Sequence, residues 1–281
     1  MLGLCCPPER YRSRLPTLAA VAERADARAM PRLRRVTLAT PQLPPAWDGL
    51  RILQISDVHA GTYMPVRRMR RICGLLAEIG ADLIVFTGDQ LDRRPSEAGL
   101  FATGFKGLEA PLGVYGVLGN HDHFVDPALA TEALTRAGVT PLVNRSVVFD
   151  CERSQLALIG LDDLHACGAR GPDFDLLTRH PGAFRICLCH QPRGWPGAQA
   201  AGAHVTLSGH THGGQIALGA RHLNFARLHS RYVAGPYRRE DCLLYVSRGI
   251  GVGAVPLRIR APRELDLITL RRRSVECRAV A

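Results

Sequence analysis

The chain has no apolar run near the roughly 20 residues that a helix needs to span a bilayer. Its first thirty residues, MLGLCCPPERYRSRLPTLAAVAERADARAM, reach charge after a short apolar stretch broken by Pro7-Pro8. They lack the profile of a secretory signal. Nine cysteines are present, an odd number, and no two stand in C-x-x-C spacing. Cys187 and Cys189 sit in the apolar run FRICLC, where alternate residues share a face. Buried reduced thiols behave as small hydrophobes, so a reducing compartment is the simplest reading. Aromatic residues make up only 6% of the chain, too few to interleave a stacking platform with the basic residues. No zinc-finger or RNA-binding signature appears, which disfavours nucleic acid as partner. Residues 33 to 272 contain no internal repeat, low-complexity tract or Pro/Gly/Ser linker.

What is present suits one large layered domain. The 281 residues are 46% hydrophobic and 22% charged, enough to bury a sizeable core and too balanced for wholesale disorder. Residues 1–32 read as an N-terminal extension and 33–281 as a single domain. Within the extension, residues 15 to 29 could form an amphipathic helix, with Leu15, Leu18, Val21 and Ala22 opposite Arg24 and Arg28. A surface helix is the plain reading of that pattern and peripheral membrane contact the alternative. The expected location is cytoplasmic, with attachment at the periphery of the inner membrane as the variant. Arginine dominates the 36 basic residues, which face 25 acidic ones and leave a formal net charge of +11. Either composition alone accounts for this excess, or the surface attracts anions such as phosphorylated small molecules or lipid head groups.

Beyond about residue 32 the chain alternates apolar strands with amphipathic helices. LRRVTLAT, LRILQIS, ADLIVFTG and GVYGVLGN read as strands. MPVRRMRRICGLLAEIG reads as a helix with Met69, Ile72, Leu75, Leu76 and Ile79 at helical spacing. Residues 96 to 107 form a weaker helix, and PALATEALTRAG one that opens on Pro and closes on Gly. Strand after strand follows: SVVFD and QLALIG as a hairpin, then FRICLCH, HVTLSGH, CLLYVSRG and RELDLITLR. Alternation early and strands late predict two sheets with helices outside.

Five polar motifs each stand at the end of a strand. They are Asp57-Val58-His59, Gly88-Asp89-Gln90-Leu91-Asp92, Gly119-Asn120-His121-Asp122, His190 after FRICLC, and Gly209-His210-Thr211-His212. In open α/β sheets ligands collect at the carboxyl ends of strands, so the five can converge on one crevice. Carboxylate, imidazole and amide oxygen donors without thiolate suit Mn, Fe, Zn or Ni. A carboxylate such as Asp89 can serve two cations. The glycines ahead of Asp89, Asn120 and His210 let the backbone turn sharply. Each motif alone is weak, and D-x-H or a single strand-end His is ordinary; the set in this order is not.

That order, D-x-H, G-D-x-x-D, G-N-H-D, H, G-H-x-H, resembles the calcineurin-like metallophosphoesterase superfamily over residues 50 to about 215. GHTHGGQI, Gly235-Pro236-Tyr237, LYVSRGIG and PLRIRAPREL resemble its bacterial branch of small phosphodiesterases. The resemblance implies a four-layer α-β-β-α sandwich with two mixed β-sheets and a site for two divalent transition-metal ions, manganese first. It assigns Asp57, His59 and His212 to one ion, Asn120, His190 and His210 to the other, and Asp89 as their bridge. His121 would protonate the leaving oxygen and Asp92 would orient it. A pair of cations can turn water into hydroxide near neutral pH, so direct hydrolysis of a P–O bond with no phospho-enzyme is expected. Three alternatives remain at this level. One is a pyrophosphohydrolase of a lipid-linked nucleotide of the UDP-diacylglucosamine type, which the basic surface, Phe124 and Val125 modestly favour. Another is a nuclease, and a third a non-catalytic scaffold, which the filled ligand positions oppose. Arg67, Arg68 and Arg93 are candidate anion contacts, although solvated arginines are commoner. His123 is a candidate substrate contact, while His165, His222 and His229 read as solvated loop residues.

Overall fold

A computed structural model describes residues 30–165, 171–218, 223–228, 230–253 and 257–273. The amphipathic helix read over 15 to 29, together with His222 and His229, lies outside the described residues. The N-terminal half runs β1 (Arg32–Thr40), β2 (Arg51–Ile55), α1 (Val66–Ala77), β3 (Leu83–Thr87), α2 (Glu97–Gly104), β4 (Val114–Val117), α3 (Asn120–Val125), α4 (Pro127–Ala137) and β5 (Thr140–Pro141). The hairpin β6 (Arg145–Cys151) and β7 (Ser154–Gly160) follows, then α5 (Asp175–Thr178), β8 (Phe184–Leu188), α6 (Trp195–Ala200) and β9 (Val205–Ser208). Short strands β10 (Ala217–Leu218) and β11 (Leu223–Asn224) precede β12 (Gly235–Arg239), β13 (Cys242–Val246) and β14 (Glu264–Arg272).

The strands form two six-stranded mixed sheets, in the orders β1-β14-β2-β3-β4-β5 and β12-β13-β9-β8-β7-β6. Strand alternation explains how they stack. Ile52, Leu83 and Val85 pack between the sheets with Leu156, Leu158, Ile186, Leu188 and Leu207. Their neighbours Leu53, Ile55, Ile84 and Phe86 face the opposite way, against Met69, Ile72, Phe101 and Leu134 of the helices. On the far side, Ala157, Ile159 and Cys187 meet Leu177 and Ala198 of α5 and α6. Strands with both faces covered are apolar throughout rather than alternating, which is why they read as continuous hydrophobic runs. The layers are therefore α-β-β-α.

Local signals largely act as expected. Asp126 caps α4 by accepting from the Ala128 and Leu129 amides at 2.8 and 3.2 Å, and Gly138 ends it at φ 86°. Three features depart from the sequence reading. Leu75 is 44% exposed although Met69, Ile72 and Leu76 are buried. It lies one residue, about 100°, around the helix from Leu76 and falls at the margin of the stripe. β12 forms despite its opening Gly-Pro, because it is an edge strand paired only with β13, where proline is tolerated. Asn120, read as the last residue of the strand GVYGVLGN, instead opens α3, which continues to Val125. Among the described residues no helix is long and apolar enough to cross a membrane.

Beneath the strand ends Gln54 is fully buried and ties the two sheets, donating from Nε2 to Thr87 Oγ1 at 2.9 Å and to the Ser208 carbonyl at 2.8 Å. The carboxyl ends of β2, β3 and β4 in one sheet, and of β8 and β9 in the other, thus open on the same side.

Candidate metal centre

All five motifs meet in that opening. Asp57 and His59 follow β2, Asp89 and Asp92 follow β3, and Asn120 and His121 follow β4. From the second sheet, His190 follows β8, and His210 and His212 follow β9. Five of these are non-glycine residues in left-handed backbone: Asp57 (φ 50°), His59 (47°), Asp89 (57°), His210 (72°) and His212 (52°). Such conformations cost on the order of 1 kcal/mol or more each and concentrate at functional sites. The glycines ahead of them serve mainly a different end from sharp turning. A Cβ at Gly119 would collide with Asp89, one at Gly88 with His190, and one at Gly209 with Ser56 and Asp57. Gly88 is also at φ 98°. Close approach, rather than turn geometry alone, requires glycine there.

The seven donors expected to hold cations fall into two overlapping groups, and His59, Asp92 and His121 form a further cluster beside the first. In the first, His59 Nε2 lies 3.1 Å from His212 Nε2 and 3.6 Å from Asp89 Oδ2, and His212 Nε2 lies 3.5 Å from Asp57 Oδ1. In the second, His190 Nε2 lies 3.2 Å from Asp89 Oδ2, with His210 Nδ1 2.8 Å from Asn120 Oδ1. Asp57, His59, Asp89 and His212 offer ligand atoms all within 4.8 Å of one another, as do Asp89, His190 and His210. Asp89 belongs to both groups through Oδ2, because Oδ1 accepts the His121 amide at 2.9 Å.

Several features suit bound cations. Asp57 Oδ2 and His190 Nε2 are buried and have no hydrogen-bond partner. His190 Nδ1 faces the Thr87 carbonyl at 2.6 Å, which keeps a proton there and turns Nε2 toward the Asp89 carboxylate, where a cation would take the place of the second proton. His59 Nδ1 faces Asp92 Oδ1 at 3.2 Å, which turns Nε2 toward His212 and Asp89. Two imidazoles meeting nitrogen to nitrogen, beside two buried carboxylates, form a donor set that a cation satisfies; a cation taking both nitrogens displaces the proton between them. Burial raises the Asp57 carboxyl. Burial also acts on Asp89, but His190, His59 and His121 outweigh it and hold the group well below its ordinary value. Burial and the His190 charge push His210 down to about 3.

His121 is set apart from the donors. Its Nδ1 lies 2.8 Å from the Asp92 backbone carbonyl and 3.4 Å from the Asp92 carboxylate. The carbonyl, rather than the expected carboxylate, is its nearer partner, and the carboxylate lies slightly closer to His59. Burial opposes protonation of His121, yet Asp92 and Asp89 prevail and raise it to about 9.

Other residues that build the site were not singled out from sequence. Asp122 is fully buried and accepts from the amides of Gly119 (2.9 Å), Leu91 (2.9 Å) and Gln90 (3.3 Å), clamping two motifs together. Burial and Asp89 push it up to about 6. The signal was the last letter of G-N-H-D, a short acceptor near a helix start. Glu97 Oε2 accepts the amides of Asp92, Arg93 and Arg94. Arg258, buried, reaches His212 Nδ1 at 3.0 Å and the Gly251 carbonyl at 2.8 Å; it lies in the PLRIRAPREL segment of the family resemblance, but no role was assigned to it there. His123 is paired with Asp162 at 2.6 Å. His165 is exposed in its loop, as read, and also contacts Gln191 at 2.6 Å and Arg193 at 3.2 Å.

Comparison with known proteins agrees with this arrangement. Residues 50–214 match the family model described as calcineurin-like phosphoesterase. The chain is 31% identical over 242 residues to the uncharacterized metallophosphoesterase YkuE of Bacillus subtilis, covering 84% of each. It is 28% identical to the phosphodiesterase YaeI of Escherichia coli, covering 78% of this chain and 82% of that one. A transmembrane protein with metallophosphoesterase domain from Danio rerio is 31% identical over 92% of this chain, which spans only 61% of that protein. The clustered Asp and His donors, the family match along most of the motif-bearing span and these relatives lead to one statement: the chain belongs to the calcineurin-like phosphoesterase family and is a hydrolase acting on phosphoric esters.

Proposed function

We propose that the chain is a phosphodiesterase that works with two divalent cations, manganese first, and hydrolyses its substrate in one displacement at phosphorus. The observation that carries this reading is the shared position of Asp89 Oδ2 between His59 and His190. Asp57, His59 and His212 would hold one cation, Asn120, His190 and His210 the other, and Asp89 both. When bound, such cations lower the pKa of water and neutralise phosphoryl oxygens.

The protein's own groups do the rest. His121 gives Nδ1 to the Asp92 carbonyl, which fixes the ring and leaves Nε2 for the leaving oxygen. Asp92 and Asp89 raise its pKa, in the direction a general acid near neutral pH requires. Asp92 orients His121 through its main chain and steadies His59 through its carboxylate. The two hydroxyls on the cavity wall, Thr211 and Ser230, donate to the Val233 and Tyr232 carbonyls at 2.5 and 2.9 Å. Neither is set up as a nucleophile, which supports direct attack by water.

A second reading, hydrolysis of a lipid-linked nucleotide pyrophosphate, is favoured by Phe124. It is 65% exposed, with its ring centroid 5.6 Å from that of His121, where a leaving group would lie. The substrates would then be anionic and partly apolar, with peripheral membrane contact. The test is a screen of manganese-loaded protein against bis-p-nitrophenyl phosphate, p-nitrophenyl phosphate and UDP-diacylglucosamine, with His121→Ala as control. Preference for the first supports the diesterase, preference for the last the second reading, and equal rates in the control would remove His121 from the chemistry. In isotopically labelled water, a phosphorothioate diester chiral at phosphorus should give a labelled monoester of inverted configuration; retention would show a covalent intermediate.

A further inference from the structure

One wall of the cavity carries none of the candidate cation donors. The cavity, about 590 Å³, has Asp89, Asn120 and His210 on its floor, and His165, Gln191 and Arg193 beside them. These three form a chain anchored on Asp163, which is 1% exposed. Asp163 Oδ1 accepts Gln191 Nε2 at 2.7 Å and the His165 amide at 2.8 Å. Gln191 Nε2 also lies 2.6 Å from His165 Nδ1, and His165 Nε2 lies 3.2 Å from Arg193 Nη2.

The proton count along this chain does not close. A carboxylate only accepts, so Gln191 turns its amide nitrogen toward Asp163, and the second hydrogen of that nitrogen points at His165 Nδ1. Nδ1 therefore accepts, and the imidazole proton sits on Nε2. Arg193 offers only donors. Two donors thus face each other at the cavity rim, with no acceptor between them among the described residues. Among the described residues no carboxylate pairs with Arg193. An oxygen of an anion held by both groups would supply the missing acceptor, in charge-assisted bonds. The charge of Arg193 also reaches His210, whose pKa it helps to lower, so this wall stands within electrostatic range of the candidate centre.

We propose that Arg193 and His165, positioned by Asp163 through Gln191, form an anion-binding subsite that takes a second negatively charged group of the substrate, a phosphate or carboxylate, next to the ester being cleaved. The proposal rests on the phosphodiesterase reading and adds a substrate class to it, a diester with a second anion. A general basic surface would attract such molecules from any side, whereas this subsite places the extra charge on one defined wall.

The test compares thymidine 5′-(p-nitrophenyl phosphate) with its 3′-phosphorylated analogue, both followed by release of p-nitrophenolate. Wild type should show a KM for the 3′-phosphorylated ester lower by about tenfold, the effect of one charge-assisted contact. In Arg193→Gln that ratio should fall to near one, and in His165→Ala to an intermediate value. A wild-type ratio near one, or an unchanged ratio in Arg193→Gln, overturns the subsite, and an unchanged ratio in His165→Ala removes His165 from it. If neither ester is cleaved, the diesterase reading fails, and binding decides the subsite alone. Equilibrium dialysis of thymidine 3′,5′-bisphosphate against protein without added metal should then show affinity about tenfold weaker in Arg193→Gln. Equal affinities would overturn it.

Discussion

Glu97 offers the most direct test of how the turn that carries Asp92 is held. Its Oε2 accepts three successive amides, from Asp92 at 2.7 Å, Arg93 at 2.8 Å and Arg94 at 3.0 Å, and the residue is only 7% exposed. Glu97→Ala leaves three donors with no protein partner. A net bond to a charged acceptor contributes about 1.5–3 kcal/mol, but the outer amides can regain water, so a loss of about 3 kcal/mol is expected rather than the full sum. Glu97→Gln keeps an oxygen acceptor and gives up only the charge, at a cost of about 1 kcal/mol. The same turn presents the carbonyl that holds His121, so its disorder should reach the chemistry. In Glu97→Ala kcat on bis-p-nitrophenyl phosphate should fall about tenfold or more with KM little changed, because a small misplacement of a catalytic group is costly. Urea unfolding and steady-state kinetics on the metal-loaded protein measure both effects. Stability of Glu97→Ala within about 0.5 kcal/mol of wild type, below the cost of one ordinary hydrogen bond, would refute the reasoning. So would a Glu97→Gln variant as damaged as the alanine.

Other outcomes follow from single contacts. Gly119→Ala places a Cβ 2.8 Å from Asp89 Cγ and closer still to its Oδ1, so thermal unfolding should show a loss of about 1–3 kcal/mol and chelator titration a weaker hold on metal. Asp89→Asn should lose most of the stabilisation that added Mn²⁺ gives wild type, about 2.7 kcal/mol at a hundredfold excess over Kd, and an undiminished shift in melting temperature would contradict its place in both donor groups. Asp266 accepts from Tyr245 and Ser247 at 2.6 Å each inside the sheet interface, and burial raises its carboxyl to about 6. The folded state therefore keeps this proton more tightly than the unfolded chain. Its stabilising share is full below the unfolded value of 3.8 and is lost as pH rises through about 6, with a total of order 3 kcal/mol. Denaturant unfolding from pH 4 to 7 should show that decline in wild type relative to Asp266→Asn, and parallel curves would contradict it.

Much of this architecture was legible because two signals are local. A strand covered on both faces has to be apolar throughout, and a donor placed just past it has to face the open end of the sheet. Ile52 to Ile55 followed by Asp57 and His59 displays both in a few residues. What stayed hidden depends on distant partners. Asp122 reads as a fourth polar letter in a motif until the Gln90 and Leu91 amides are brought to it. Arg258 reaches His212 only through the return of the chain after β13. His165 is the solvated loop residue its sequence suggests, but its contacts with Gln191 and Arg193, which follow β8, are set by tertiary placement. The nearer partner of His121 is a carbonyl of the Asp92 turn, which no residue type announces. Side-chain identity marks the reacting groups, whereas main-chain partners depend on tertiary placement.

β14 pairs in parallel with β1 on one side and antiparallel with β2 on the other, so the last of the described strands lies between the first two. At a synthesis rate of about 5–20 residues per second, a growing chain exposes the facing edges of β1 and β2 for tens of seconds before their partner emerges. During that interval Ile52 and the backbone beside it form an unpaired apolar edge, the kind of surface that recruits chaperones or foreign strands. A truncation that removes Glu264–Arg272 would prolong this condition indefinitely, leaving a chain that carries every group of the catalytic crevice yet aggregates instead of closing over it.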